Sequence, residues 1–259
     1  MTALQWVREL GLAAGTRALD IGCGAGLLTV ELAAMGLSVM ATDASQEMVR
    51  TATANVARRG LQDRVEVRQA DVHRLPFESD EFELVTLLGL LPWLHDAAGA
   101  VMELGRVLAP GGTILVTADN ERRLNRLVEP FESPLRPLLD PVRPLLRPVK
   151  RALLRVPDDA PPRAQAYRHL PGEVDEMLSA AGITVVRRTT IGYGPFTVTR
   201  RRVVPDSVGR ALDERLQGAA RDHPRLRGVG WHYLAAGRKL APRADRTKPD
   251  PAGAVSSAS

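Results

Sequence analysis

Through the first three quarters of the chain, short apolar runs alternate with longer segments of helical period. Arg17 to Gly22 ends at a glycine and precedes an apolar-rich segment, Leu27 to Met35. Leu37 to Thr42 precedes Gln46 to Arg58, Val65 to Gln69 follows, Phe82 to Leu88 precedes Ala97 to Leu108, and Thr113 to Ala118 comes after the turn Pro110-Gly111-Gly112. Glu173 to Ala181, closed by Gly182, feeds a run at Ile183 to Thr190, and Trp231 to Lys239 reads as a last strand. Repeated strand, turn and helix units bury their strands on both faces. They predict an α/β chain with a doubly wound sheet whose ligands lie at the carboxyl ends of the strands.

Two stretches break the pattern, at about 120–170 and 191–229, and both are basic. Residues 121–155 hold nine Lys/Arg against four Asp/Glu, and 200–228 hold eight Arg against four, whereas the whole chain is only +5. The body is therefore mildly acidic and carries two basic insertions. The first insertion contains a seven-residue repeat, Pro134-Leu-Arg-Pro-Leu-Leu-Asp, Pro141-Val-Arg-Pro-Leu-Leu-Arg and Pro148-Val-Lys-Arg-Ala-Leu-Leu. Its apolar spacing is helical, but prolines every three or four residues remove backbone donors and exclude one continuous helix. Short proline-opened turns forming a cover over the sheet edge are one reading. An amphipathic element resting on a membrane is the other. The expected layout is a single domain over 1–240 with these two cover insertions, followed by a disordered Pro/Ala/Ser tail at 241–259.

The lone cysteine, Cys23, excludes an intrachain disulfide, and no Cys/His cluster has zinc spacing, so no metal is expected. No apolar run reaches the length of a membrane span, and the segment Met1 to Leu12 lacks the apolar core of a signal peptide. A cytoplasmic location is the expectation.

Chemistry is written most sharply at Leu19-Asp20-Ile21-Gly22-Cys23-Gly24-Ala25-Gly26, at the end of the first strand. Glycines at alternate positions let the backbone turn tightly and come close to a ligand. The dinucleotide pattern Gly-x-Gly-x-x-Gly would need glycine at position 27, where leucine stands, and no Gly-Lys-Ser/Thr follows. A nucleoside without phosphates fits better. Cys23 reads as a small packed residue rather than a nucleophile.

From about Val7 to Ala118 the chain resembles the class I S-adenosylmethionine-dependent methyltransferases, in particular the ubiquinone/menaquinone-biosynthesis and small-molecule group. The motifs that carry the likeness are the Asp20 to Gly26 loop, Asp43 closing Val39-Met-Ala-Thr-Asp43, Ala70-Asp71-Val72, and Phe82 to Leu88 followed by Leu104-Gly-Arg-Val-Leu-Ala-Pro-Gly-Gly112. The resemblance implies a Rossmann-like, seven-stranded sheet, mostly parallel with an antiparallel last strand, plus an inserted helical and Pro-rich cover. It implies S-adenosyl-L-methionine as cofactor. Asp20, Gly22, Cys23, Gly24 and Gly26 would wrap the methionine moiety, Asp43 would accept the ribose hydroxyls, and Asp71 would meet the adenine amino group. Ala44, Met48, Val72, Leu87 and Leu88 would complete the cofactor contacts.

The implied reaction is an in-line displacement on the sulfonium methyl, in which holding the acceptor on the methyl–sulfur axis does most of the work. A base is needed only for an acceptor protonated at neutral pH. Catalytic candidates at the strand ends are His95, Asp119, Tyr167 and His169; candidate substrate contacts are Trp93, Asn120, Arg168, Tyr193, Phe196 and His232. Trp93 stands where the group often has a histidine, and His95 also reads as a residue leading into a helix, paired with Asp96. Leu88-Gly-Leu-Leu-Pro replaces the Asn/Asp-Pro-Pro-Tyr/Phe motif of amino-methyltransferases, disfavouring nucleobase and glutamine amines. The expected acceptor is a small organic molecule, of natural-product or lipid-like type, with anionic groups suited to arginines. A lipid, quinone or glycolipid methylated at a membrane surface is an alternative. RNA is a weaker one, because aromatic residues make up only 4% of the chain and stacking platforms are few.

Overall fold

A computed structural model of the chain describes residues 2–122, 166–193, 197–198, 201–202, 205–223 and 228–240. The Pro-Leu-Arg repeat, Phe196 and the 241–259 tail lie outside the described residues.

The order is α1 (Thr2–Glu9), β1 (Arg17–Ile21), α2 (Leu27–Ala34), β2 (Ser38–Asp43), α3 (Gln46–Arg58), β3 (Val65–Gln69), β4 (Phe82–Leu87), α4 (Ala97–Val107), β5 (Leu108–Asp119), α5 (Pro171–Ala180), β6 (Ile183–Ile191), β7 (Thr197–Val198), β8 (Arg201–Arg202), α6 (Asp206–Asp222) and β9 (His232–Lys239). Seven strands form one sheet in the order β3-β2-β1-β4-β5-β9-β6, and β7 pairs with β8. Strands β1 to β5 are parallel, and β9 runs antiparallel between β5 and β6. The chain crosses from β3 at one edge back to β4 beside β1. The carboxyl ends of β1 and β4 therefore flank the point where strand order reverses, which is where a doubly wound sheet opens a crevice.

Burial explains the composition of the strands. In β1 every residue after Arg17 is buried, as expected for a parallel strand covered on both faces. On one face Val101, Leu104, Val174 and Leu178 from α4 and α5 pack with Val85, Leu87 and Ile114. On the other, Trp6 and Val7 from α1 and Leu32 from α2 pack with Leu84, Leu115 and Leu234. Capping fixes where the helices begin. Ser45 accepts the Met48 amide at the start of α3, and Asp96 accepts the Gly99 amide at the start of α4.

Two features, helix α1 and the start of β5, depart from the sequence expectation. Helix α1 was not anticipated; Ala3, Trp6 and Val7 are its buried side chains, and Arg187 of β6 lies 4.4 Å over the Trp6 ring while pairing with Glu9. Pro110-Gly111-Gly112 is not a turn before β5 but part of it: Phe82 pairs with Leu108 and Leu84 with Thr113, so the strand bulges there. Within the second basic stretch, α6 is a regular helix docked on the end of β6, where Gln217 donates to the Thr190 carbonyl and accepts the Gly192 amide.

Candidate functional site

The glycine-rich loop leaves β1 at Ile21 and ends where α2 begins, with Gly26 at φ 76°. A side chain on Gly26 would place its Cβ 3.0 Å from the Ala52 Cβ of α3, so glycine here permits both the left-handed turn and the close helix approach. Gly24, at φ 52°, has open space where a Cβ would stand. This half-buried stretch therefore has room beside it for a ligand.

Asp20 lies under this loop rather than in the crevice. Its carboxylate accepts the Thr29 hydroxyl from α2 at 2.7 Å and the Thr86 hydroxyl from β4 at 2.8 Å. It is almost fully buried, and burial pushes its carboxyl up to about 6, with the two threonine hydroxyls pulling the other way. Burial and the neighbouring carboxylates push the Cys23 thiol up to about 12, so this sulfur is not an activated nucleophile.

Asp43, the last residue of β2, ties the loop down. Its Oδ2 accepts the Gly24 amide and its Oδ1 accepts the Ser45 amide, both at 2.9 Å. Each carboxylate oxygen has a second lone pair, which leaves acceptor capacity for ligand hydroxyls. Asn55 holds the loop from behind, donating to the Ala25 carbonyl at 2.6 Å.

Beside Asp43 a cleft of about 580 Å³ runs along the ends of β1, β2 and β3, and Gly22, Ala44, Asp71, Val72, His73 and Leu94 are among its walls. Among the described residues no Lys or Arg lines it, whereas Asp43 and Asp71 both do. Two carboxylates without a cation suit hydroxyl and amino donors and oppose a pyrophosphate. Asp71 accepts the His73 amide and faces its Nδ1, both at 2.9 Å, and His73 Nε2 lies 3.1 Å from the Asp96 carbonyl. The His73 amide and ring hold the Asp71 carboxyl below the usual range. Among the sequence-derived cofactor contacts, Met48 is positioned in the first turn of α3 through Ser45. The Leu87 side chain is buried in the core and Leu88 is partly buried near α2, so neither side chain is in this cleft.

His95 differs from the expectation. It lines the same cleft, with its ring 4.5 Å from that of His73, while Asp96 caps α4 instead of pairing with it. This puts His95 at the Asp71 end, away from β5.

The candidates at β4 and β5 form a separate group. After β4 a 3-10 turn, Leu91–Trp93, leaves Trp93 57% exposed. The segment Tyr167-Arg168-His169 crosses the carboxyl edge: the Tyr167 amide donates to the Pro92 carbonyl at 2.6 Å and the His169 amide to the Asp119 carbonyl at 3.0 Å. Asp119 pairs with His232 at 3.0 Å. Asn120 is fully buried and donates to the Gly228 and Gly230 carbonyls, both at 2.9 Å, so its amide fastens the chain ahead of β9 rather than facing a ligand. Tyr193 is buried too, with its amide donated to Asp213 of α6. Sequence reasoning missed Thr29, Asn55, Thr86 and His73. Only His73 carried a signal, an Asp-x-His step in which the Asp71 side chain bonds two residues ahead.

Fold and cleft define a doubly wound domain with a crevice open at the β1/β4 switch point. Residues 19–116 match the family described as "Methyltransferase domain". The chain is 35% identical over 107 residues to a ubiquinone biosynthesis O-methyltransferase of Caulobacter sp. (strain K31), covering 41% of this chain and 42% of that protein. It is 40% identical over 111 residues to a demethylmenaquinone methyltransferase of Clavibacter sepedonicus, covering 42% and 43%. The chain thus spans about two fifths of the length of these curated relatives. In fold it is similar to the [4+2]-cyclase SpnF, with a TM-score of 0.60 at 22% identity over 93% of this chain and 81% of that one. Residues 19–116 are thus a methyltransferase domain set in this doubly wound sheet, of the kind whose cofactor is S-adenosylmethionine.

Proposed function

We propose that the chain transfers a methyl group from S-adenosylmethionine to a small organic acceptor held at the carboxyl ends of β4 and β5. The observation that carries this reading is the pair Asp43 and Asp71 in a cleft with no Lys or Arg among its described walls, beside a glycine loop with open space at Gly24. Bound S-adenosylmethionine supplies an electrophilic methyl on a sulfonium. Asp43 accepts its ribose hydroxyls and orders the loop around its methionine part, Asp71 accepts the adenine amino group, and Val72 and Leu94 flank the base. Asp20 acts from beneath as a positioning residue. The nucleoside then fills the β1–β3 side of the crevice, which leaves the β4–β5 side for the acceptor. Orientation supplies most of the rate.

The relatives' names point to quinone-type acceptors, and the two basic stretches suit one bearing carboxylate or phosphate. We place residues 1–240 in one domain working in the cytoplasm, with residues 120–170 and 191–229 as its acceptor cover. No helix among the described residues is long and apolar enough to cross a membrane. Release of S-adenosylhomocysteine during incubation with quinol, phenol and anionic acceptors tests the reading. Turnover of one of them supports it; cofactor binding without turnover of any would make the chain a binding protein built on this fold.

A further inference from the structure

The strand-end segment that bridges β4 and β5 carries a histidine with an unexplained atom. His169 is mostly buried, with 16% of its side chain exposed, and its Nε2 is buried without a hydrogen-bond partner among the described residues. Buried polar atoms are nearly always paired, so an orphan of this kind points to a missing ligand group. The other ring nitrogen has a carboxylate near it: Nδ1 lies 3.9 Å from Glu173 Oε2. That carboxylate is fixed, because Glu173 stands in the first turn of α5 and its Oε2 accepts the Leu170 amide at 2.9 Å. The backbone of His169 is fixed as well, through its amide to Asp119, its carbonyl to the Glu121 amide, and its bridge with Asn120.

Resting on the methyl-transfer reading above, we propose that His169, oriented by Glu173, is the base that takes the proton from the acceptor, and that the acceptor's nucleophile is a hydroxyl. With its Nδ1–H directed at the Glu173 carboxylate, His169 presents the Nε2 lone pair. A neutral amine or a thiolate attacks a sulfonium methyl without a base, whereas a phenol or alcohol is a poor nucleophile until its proton leaves. The step balances: the acceptor oxygen forms a bond to the methyl carbon, and the sulfur–methyl bond breaks with its electron pair going to sulfur. The hydroxyl proton passes to His169 Nε2 and then to water. Of the two histidine–carboxylate pairs at the end of β5, His232–Asp119 has its histidine 44% exposed. Among the described residues only His169 buries a side-chain nitrogen without a hydrogen-bond partner.

Two measurements on the full chain test this. In ¹⁵N-edited NMR of the histidine side chains, assigned by loss of one signal in His169→Gln, the ring is expected with its proton on Nδ1. An Nε2–H tautomer overturns the proposal. In the second, wild-type chain with S-adenosylmethionine is offered a catechol, a hydroquinone, a monophenol and an aliphatic alcohol, together with an aniline and a thiol, and S-adenosylhomocysteine is counted. Turnover of a hydroxyl acceptor is expected to fall at least 100-fold in His169→Gln and about 10-fold in Glu173→Gln, with S-adenosylhomocysteine affinity within twofold of wild type. Imidazole is expected to restore part of the rate to His169→Gly. Turnover confined to the aniline or thiol, no turnover of any hydroxyl, or an unchanged rate in His169→Gln overturns the proposal while leaving cofactor binding intact. Loss of S-adenosylhomocysteine binding by the wild type would instead remove the underlying reading.

Discussion

The Gly24 amide and the Asp43 carboxylate meet at 2.9 Å, so the residue placed to receive the ribose also holds the loop placed to receive the methionine. One side chain couples the two halves of the cofactor site. Asp43→Ala removes both the hydroxyl acceptor and the tether, and S-adenosylhomocysteine affinity should fall by about 1–3 kcal/mol. Asp43→Asn keeps one acceptor oxygen and should lose less. Calorimetric titration of the three proteins gives the order.

Two glycines of the same loop should answer differently to alanine. In Gly26→Ala the new Cβ meets Ala52 at 3.0 Å in addition to the left-handed backbone, and a stability loss of about 2–4 kcal/mol is expected. Gly24→Ala has the left-handed backbone but open space, so it should cost about 1–2 kcal/mol of stability. Its larger effect should fall on cofactor affinity. Urea denaturation set beside calorimetry separates the two, and equal stability losses would contradict the packing argument.

The parts of the site that the sequence made legible are those where backbone demands leave a residue signature. Strand ends at Gly22 and Asp43 and the alternate glycines all follow from local rules. Asp20 was legible as conspicuous but not in its role, because its partners Thr29 and Thr86 come from a helix and a neighbouring strand, and only tertiary structure turns them toward it. Asn120 was misassigned for the same reason: its amide partners, Gly228 and Gly230, lie more than a hundred residues away. His95 was drawn to the wrong neighbour by sequence adjacency, since the cap on α4 claims Asp96 and the free ring packs on His73. Helix α1 escaped because eight residues give little more than two turns of period.

Asp20 should leave a trace in the pH dependence of stability. Its folded-state carboxyl is raised from 3.8 to about 6, so between those values the folded chain keeps a proton that the unfolded chain has released. Stability from this group therefore falls as pH rises from about 4 to about 6 and is level above, a change on the order of 3 kcal/mol. Asp20→Asn can still accept one threonine hydroxyl and donate to the other threonine oxygen, and it has no such dependence. The difference between variant and wild type in urea stability should thus grow in favour of the variant across that window; a constant difference would contradict the burial of a titrating carboxyl.

Asn120→Leu keeps the volume but leaves the Gly228 and Gly230 carbonyls without their donor. A loss of about 2–4 kcal/mol is expected. Thermal denaturation measures it, and hydrogen exchange should show faster opening at the start of β9 than at β1.

The measurement that bears most directly on the whole account is a calorimetric titration of the wild-type chain with S-adenosylhomocysteine, with NAD as control. The cleft lined by Asp43 and Asp71, with no Lys or Arg among its described walls, predicts micromolar binding of the sulfur nucleoside and none of the dinucleotide, with affinity lowered about 5- to 150-fold in Asp43→Ala. Binding of NAD in preference, or no S-adenosylhomocysteine binding, would contradict it.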